Sequence, residues 1–399
     1  MKVLHIISSV APEAGGVTQG LVSLQTMLAD RVDGHVLSLD APDAAFLVDF
    51  PLPIYALGVD RREDRRNAFA RHYGFSPKVI PWLRDHLGDY DAAVVHGLWN
   101  YATYAAARVL PKAATPYFVF THGMMDPWFR RTYPLKHAAK QGFWWFNEGP
   151  LLAGARAVLF TAEEERQLAR GEFWGHAGYR EAVVGFGTNE PPPPMPEQAA
   201  AFKHACPQVD GRPYLLFLGR LHPKKGCDLL LKAFVDQAMT APDLHLVMAG
   251  PDQVGWQAEL QALTANLGLT ERVHFPGALF GDAKWGAMRG AEAFVLPSHQ
   301  ENFGIVVAEA MACATPVLTT DKVNLWREVA ACGGGLIEPD TQAGVSRLLS
   351  RWAAMSGDDR AAMRRAARAG FEAHFRMEVA ADNVFSLFSA RVTPNRDAA

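Results

Sequence analysis

Cysteine is scarce in this chain of 399 residues. It has four cysteines, which lie far apart, and no two of them form a C-x-x-C pair. Such spacing suggests neither a disulfide framework nor a zinc site, and it fits a reducing compartment. The four are Cys206, Cys227, Cys313 and Cys332.

An excess of charge of one sign and long apolar runs are missing as well. Lysine and arginine number 39 against 42 acidic residues, a formal charge of −3. No strong positive field is therefore available to attract nucleic acid. No apolar run reaches the roughly 18 residues of a membrane span. The short apolar stretch Val3–Val10 leads into Pro12, which favours a buried first strand over a signal peptide. We therefore expect a cytoplasmic protein.

The length and the order of apolar runs predict two domains. Short apolar runs alternate with helical periodicity, as in βαβ units around a parallel sheet. A proline-rich stretch, Asn189–Pro196, interrupts this pattern and disfavours regular structure. We predict the α/β fold class, with doubly wound Rossmann-like domains at 1–190 and 197–375 and a C-terminal helix at 376–399 that packs back on the first. Ligands are expected in a cleft between the carboxyl ends of the two sheets.

One acidic segment, Pro297–Ala310, follows a predicted strand and opens a helix. The free backbone N–H groups at that helix start, with the helix dipole, predict a diphosphate site. Glu301 and Glu309 lie about 12 Å apart along the helix axis, too far for a hydrolase pair but suited to the two ends of a nucleotide sugar. The residues that supply the amides are Asn302, Phe303, Gly304 and Ile305.

A basic loop, Gly219–Gly226, lies between a strand and a helix. Arg220 and Lys225 could neutralise a leaving diphosphate, in which case no metal is needed. The D-x-D pattern at Asp89–Asp91 leads directly into an apolar strand, so we interpret it as a polar turn at the strand entry.

These motifs resemble a known family. The pattern E-x-F-G-x-x-x-x-E at Glu301–Glu309, G-R-L-x-x-K-K-G at Gly219–Gly226, and Gly15-Gly16 after the first strand are similar to those of family 4 retaining glycosyltransferases of GT-B fold. The resemblance covers nearly the whole chain in order. It implies a nucleotide diphosphate sugar as donor substrate, with no cofactor and no metal.

The resemblance also implies roles for these residues. Arg220 and Lys225 would hold the donor diphosphate, Glu309 the ribose hydroxyls and Glu301 the hydroxyls of the donor sugar. The amides of Asn302, Phe303, Gly304 and Ile305 would contact phosphate and sugar. Gly15 and Gly16 would face the donor phosphate or the acceptor from the first domain.

Two predicted strands of the first domain end in histidine. His122, in Thr121-His122-Gly123-Met124, matches the place of the family's active-site histidine and would contact the donor sugar. His96 and Trp99, in the sequence HGLW, are candidates for acceptor binding. HGLW and THGMMDPW together resemble enzymes of bacterial exopolysaccharide and O-antigen (lipopolysaccharide) assembly.

Each motif has a simpler explanation. Gly15-Gly16 suits any strand-to-helix turn, Arg220 and Lys225 could be solvated loop charges, and buried histidines can be satisfied by backbone groups. Glu309 is harder to explain in this way, since an acid among apolar neighbours needs a partner. The aromatic run Phe143–Phe146 follows several basic residues and fits either a half-buried core or contact with a membrane surface or lipid-linked acceptor.

The resemblance implies front-face transfer of a hexose to a saccharide or lipid-linked acceptor in cell-surface polysaccharide synthesis, with retention of anomeric configuration. A GT-B nucleotide-sugar epimerase and a catalytically inactive sugar-nucleotide binding protein remain open. A nicotinamide dehydrogenase would need G-x-G-x-x-G after the first strand, which this sequence lacks. GDP-linked and UDP-linked donors both remain open, with a preference for a GDP-mannose type.

Overall fold

The computed structural model describes residues 1–12, 16–59 and 73–390. It divides into two compact units. The first comprises Met1–Phe186 together with the chain from Met377, and the second comprises Gly187–Arg376. Each unit has a parallel sheet flanked by helices. The predicted α/β class with two doubly wound Rossmann-like domains is confirmed.

In the described part of the first unit, seven strands form one sheet in which every pair is parallel. The strands are β1 (Lys2–Ile6), β2 (Asp33–Ser38), β3 (Ile54–Ala56), β4 (Ala92–His96), β5 (Tyr117–Phe120), β6 (Ala157–Phe160) and β7 (Glu181–Val183). Their order is β3-β2-β1-β4-β5-β6-β7. Strands β4 and β5 are buried throughout, as expected for central strands covered on both faces.

The helices of this unit bury apolar faces on the sheet. The first helix was predicted from apolar positions spaced by three and four residues. It spans Gly16–Leu28 and buries Leu21, Leu24 and Leu28. The helices are α1 (Gly16–Leu28), α2 (Val79–His86), α3 (Tyr101–Val109), α4 (Pro127–Thr132), α5 (Pro134–Phe143), α6 (Gly149–Gly154) and α7 (Glu163–Ala169).

The second unit has a six-stranded parallel sheet in its described residues. Its strands are β8 (Tyr214–Leu218), β9 (His245–Ala249), β10 (Val273–His274), β11 (Ala293–Leu296), β12 (Val317–Thr320) and β13 (Gly335–Glu338), in the order β10-β9-β8-β11-β12-β13. The helices are α8 (Pro196–Ala205), α9 (Cys227–Thr240), α10 (Gln257–Asn266), α11 (Gly281–Gly290), α12 (Ile305–Ala312), α13 (Trp326–Ala331), α14 (Gln342–Ala354) and α15 (Gly357–Gly370).

The proline-rich stretch before α8 packs within the second unit. The amide of Gln198 donates to the carbonyl of Pro193 at 3.1 Å. The Arg289 guanidinium donates to the carbonyl of Pro192 and to the side chain of Gln198. These hydrogen bonds hold the start of α8 against α11.

The last helix, α16 (Met377–Ser389), belongs to the first unit. The ring of Phe388 lies 5.0 Å from that of Phe118 in β5. Asp382 pairs with Arg31 at 2.7 Å. Among all the described helices, none is long and apolar enough to cross a membrane.

Candidate functional site

The basic loop Gly219–Gly226 connects β8 to α9 in the second unit. Gly226 has a φ of 66°, and a Cβ atom on it would lie 2.2 Å from the carbonyl oxygen of Pro297. Glycine is therefore required for both the left-handed backbone and the close approach. The carbonyl of Lys224 also accepts a hydrogen bond from the backbone of His299 at 2.9 Å. The basic loop and the acidic segment Pro297–Ala310 are thus held side by side.

Lys225 and Glu301 form an ion pair where these two segments meet. Lys225 is buried, with 8% of its surface exposed. Burial, with Arg220 and Lys224 nearby, lowers the pKa of Lys225 to about 7. The carboxylate of Glu301 opposes that shift by favouring the ammonium form. A further negative group, such as a phosphate, would also stabilise the charged lysine.

The backbone around Glu301 is fixed on both sides. Its N–H donates to the carbonyl of Lys322 at 2.9 Å, and its carbonyl accepts from the N–H of Asn324 at 3.0 Å. Gly304 follows with a φ of 71°, and α12 begins at Ile305. The N–H groups of a helix's first turn have no intrahelical acceptor. They project from the start of α12 with the positive end of the helix dipole, an arrangement that suits an anion.

Glu309 lies one turn into α12 and is buried. Burial raises its pKa, while Lys284 lowers it through charge and a hydrogen bond of 2.7 Å. Lys284 comes from α11 and supplies the partner that the apolar setting of Glu309 requires. The sequence indicated the need for a partner but not its identity.

Arg220 is exposed on the same loop as Lys225. Its guanidinium donates to the side-chain oxygen of Gln253 at 3.1 Å. The second unit therefore brings together the predicted residues Arg220, Lys225 and Glu301 through two adjoining segments, with Glu309 on the helix that the acidic segment opens.

In the first unit, His122 follows β5 in a turn with a φ of 49°. Such a backbone is rare for a residue with a side chain, and another group must stabilise it. Glu165 of α7 accepts hydrogen bonds from the Thr121 hydroxyl at 2.7 Å and from the Gly123 N–H at 2.6 Å. Sequence reasoning missed this buried carboxylate, which fixes the residues on both sides of His122.

His96 lies beneath His122 rather than at a surface. It is buried, with 4% exposed. Its Nδ1 atom lies 3.1 Å from Nε2 of His122, and its Nε2 atom lies 2.9 Å from Nδ1 of His5. Both ring nitrogens are therefore occupied by other histidines. This arrangement leaves His96 no polar atom for an acceptor, so it supports His122 instead.

Trp99 lines a cavity of about 420 Å³ within the first unit. Its backbone has a φ of 66°, and its N–H donates to the buried carboxyl of Glu148 at 3.3 Å. Burial raises the pKa of Glu148 to about 7. The Lys140 ammonium lies 5.0 Å from the centre of the Trp99 ring. The aromatic side chains that line this cavity are Tyr73, Trp99, Phe129, Tyr133, Phe143 and Phe173.

The predicted glycine pair is only partly described. Gly16 is exposed and begins α1. Gly15 lies outside the described residues.

Two family models match the chain. The Glycosyl transferase 4-like domain matches residues 15–219, and Glycosyl transferases group 1 matches residues 201–370. Among curated proteins, a D-inositol 3-phosphate glycosyltransferase of Nocardia farcinica is 34% identical over 197 residues, 48% of this chain and 43% of that protein. One from Thermomonospora curvata is 37% identical over 207 residues, 48% of this chain and 44% of that protein. The chain thus matches less than half the length of these relatives.

Solved structures share the fold at low identity. HepE of Anabaena, in complex with UDP and glucose, has a TM-score of 0.73 at 18% identity and covers 98% of this chain and 100% of its own. A glycosyltransferase from Rickettsia africae has a TM-score of 0.74 at 15% identity, with 97% of each chain covered. Since one family model alone spans more than half of the residues, this chain belongs to the family 4 glycosyltransferases of GT-B fold.

Proposed function

We propose that the protein is a retaining glycosyltransferase that moves a hexose from a nucleotide diphosphate sugar to a saccharide or lipid-linked acceptor. The observation that carries this proposal is the ion pair of Lys225 with Glu301, immediately before the start of α12. A buried cation, a carboxylate and a helix N-terminus together suit a diphosphate bound next to a hydroxylated sugar.

The donor would lie along α12. The diphosphate meets Lys225, Arg220 and the amides of Asn302, Phe303, Gly304 and Ile305. The sugar hydroxyls bind Glu301, and the ribose hydroxyls bind Glu309, whose carboxylate pairs with Lys284. A UDP-linked or GDP-linked sugar is the expected donor, and the HepE complex with UDP is consistent with a nucleotide in this fold.

The transfer would proceed on one face of the sugar. The bond between the anomeric carbon and the diphosphate oxygen breaks, and the acceptor oxygen bonds to the same face of that carbon. The departing diphosphate takes the proton of the acceptor hydroxyl. Lys225 and Arg220 stabilise the negative charge that develops on the diphosphate, so we expect no metal requirement. His122 would contact the donor sugar.

The acceptor would bind in the aromatic cavity that Trp99 lines. Aromatic faces suit the apolar side of a sugar ring, and Lys140 and Glu172 supply polar groups at the same cavity. Exposed apolar side chains stand close by in sequence, among them Leu135 and Phe146, which are 87% and 74% exposed. With Arg130 and Arg131 they suit the surface of an anionic bilayer.

These features fit a role in cell-surface polysaccharide synthesis at the inner face of the cytoplasmic membrane. The resemblance of HGLW and THGMMDPW to enzymes of exopolysaccharide and O-antigen assembly supports that role.

The test is an incubation of the purified protein with UDP-glucose and with GDP-mannose, each with and without membrane lipid extract. We expect one donor to yield free nucleoside diphosphate and a glycosylated product whose anomeric configuration matches the donor, by NMR. An inverted product would contradict retention. A changed donor sugar without any acceptor would favour an epimerase, and tight binding without turnover would favour an inactive binding protein.

A further inference from the structure

Three histidines form a continuous row across the centre of the first unit. His5 lies in β1, His96 ends β4, and His122 follows β5, and these strands are neighbours in the sheet. The ring centres of His5 and His96 are 5.2 Å apart, and those of His96 and His122 are 5.4 Å apart. Neighbouring parallel strands thus place the three rings at hydrogen-bonding distance.

Gln25 of α1 contacts the first histidine of the row, His5. The side-chain nitrogen of Gln25 lies 2.7 Å from Nε2 of His5. Gln25 is buried, with 2% exposed. The amide fits closely against Gly34, since a Cβ atom on Gly34 would lie 2.1 Å from the amide oxygen. A glycine at this position therefore leaves room for the Gln25 side chain.

All three rings are held neutral. Burial lowers the pKa of His5 to about 3 and that of His122 to about 4, and it lowers the pKa of His96 well below its usual value. A neutral imidazole has one N–H donor and one acceptor nitrogen. Each ring in the row therefore donates to one neighbour and accepts from the other, so the direction of one hydrogen bond determines the next.

The amide determines that direction because its nitrogen can only donate. Nε2 of His5 must accept, which puts the His5 proton on Nδ1. That proton is donated to Nε2 of His96, whose own proton is then on Nδ1 and is donated to Nε2 of His122. The last ring therefore carries its proton on Nδ1, an atom to which no described residue hydrogen-bonds.

We propose that Gln25 fixes the tautomer of His122 through His5 and His96, so that His122 presents an N–H donor at Nδ1. Gln25 and His5 are positioning residues, since their hydrogen bonds reach His122 only through His96. In its chemical consequence this inference rests on the proposed function. A donor at Nδ1 hydrogen-bonds a hydroxyl oxygen of the donor sugar, and it does not act as a base.

The experiment measures imidazole tautomers directly by long-range 1H–15N NMR of histidine-labelled protein at neutral pH, with His122 assigned from the spectrum of His122→Asn. We expect wild-type His122 to be protonated on Nδ1 only. In Gln25→Met, which removes the amide at similar volume, we expect both tautomers of His122, with half of the population or less retaining Nδ1–H. Thr26→Met, which also introduces methionine but at the exposed neighbouring position, is the control and should match wild type.

A second variant tests the same proposal independently, in case Gln25→Met does not fold. Gly34→Ala displaces the amide and leaves all three histidines of the row in place, and it should also mix the His122 tautomers. An unchanged His122 spectrum in folded Gln25→Met or Gly34→Ala overturns the proposal, as does a wild-type His122 protonated on Nε2.

Turnover separates this inference from the proposed function. If both hold, kcat falls in proportion to the fraction of His122 that keeps Nδ1–H, while the Kd for the nucleoside diphosphate is unchanged. If the His122 tautomers shift in Gln25→Met but the wild-type protein transfers no sugar, the inference about the histidine row still holds. Only the proposed function is then contradicted. An unchanged kcat despite mixed tautomers would show that the proton on Nδ1 has no role in transfer and would overturn the chemical consequence.

Discussion

Lys284 donates a hydrogen bond to Glu309 across 2.7 Å, although the two residues lie on different helices and 25 positions apart. Glu309 lies within a largely apolar helix, where burial raises its pKa and Lys284 offsets part of that rise. In its ionised form, paired with Lys284, this carboxylate can accept hydrogen bonds from two hydroxyl groups, as ribose requires.

Replacement of Glu309 by alanine tests the ribose assignment. Hydrogen bonds to a charged group contribute about 1.5–3 kcal/mol each, so the affinity for a nucleoside diphosphate should fall by about ten- to a hundredfold or more. Isothermal titration calorimetry measures the change. Glu259→Ala, an exposed acid in α10, is the control and should bind as wild type does. Unchanged affinity in a folded Glu309→Ala would remove this residue from the site.

Lys225 makes nucleotide binding depend on pH. Burial lowers the pKa of Lys225 to about 7, and Glu301 favours its charged form, so we expect it to lose its charge as the pH rises above this value. Binding a diphosphate then requires proton uptake, and affinity should fall by up to about tenfold per pH unit above 7. Lys225→Arg, which stays charged, should remove this dependence. A nucleoside without phosphates should bind equally at all these pH values, and a diphosphate that did the same in wild type would contradict the assignment.

His122 is expected to serve transfer rather than nucleotide binding. His122→Ala should abolish sugar transfer while the Kd for the nucleoside diphosphate changes little, since the proposed diphosphate contacts belong to the second unit. Rate and calorimetric measurements on the same preparation provide the comparison, with His204→Ala at an exposed position as control. Normal transfer by His122→Ala would exclude it from the reaction.

The buried histidines also couple stability to pH. Their folded pKa values lie below the unfolded value of about 6.5, so their stabilisation is fully present above pH 6.5 and is lost as the pH falls toward 4. Each histidine then contributes a loss of about 1.4 kcal/mol per pH unit. Glu148, whose pKa is raised to about 7, acts in the opposite direction over the same range.

A comparison of variants isolates the histidine contribution. Urea unfolding between pH 6.5 and 4.5 should show a slope of unfolding free energy that is smaller by about 1.4 kcal/mol per pH unit in His122→Asn than in wild type. Equal slopes in the two proteins would mean that His122 is protonated in the folded state.

The exposed apolar residues near α5 predict binding to anionic membranes. Phe146→Glu should reduce co-sedimentation with anionic vesicles severalfold, since it replaces apolar contact with a repelled charge. Met239→Glu, which alters an equally exposed apolar side chain in the second unit, should have no effect. Equal loss in both variants would indicate a general effect of charge instead of a membrane-binding face.

Local patterns made part of this structure predictable. The buried face of α1 followed from residue spacing, and the segment Pro297–Ala310 was predicted to follow a strand and open a helix, as it does at α12. The side-chain partners were not predictable in the same way. Lys284, Glu165 and Gln25 each reach their target from a different element, and their contacts depend on which strands and helices are neighbours in space.

Among the site residues, the sequence likewise indicated individual residues but not their contacts with one another. Lys225 and Glu301 were assigned to one ligand from their motifs, and their direct contact follows from the close packing of Gly226 against Pro297, which spacing does not reveal. His96 stood out because it ends a strand, yet only the order of strands β1, β4 and β5 shows that it lies between two other histidines.

The proposed donor site is tested most directly by calorimetric titration of the protein with UDP, GDP and ADP and their common sugar conjugates, with metal chelated throughout. A ligand that binds the proposed donor site at the start of α12 should also raise the melting temperature of the protein. We expect selective binding of one nucleotide and its sugar conjugate, which is weakened in Glu309→Ala and weakened above pH 7. No binding of any of these ligands at millimolar concentration would contradict the donor site and the transferase function that rests on it.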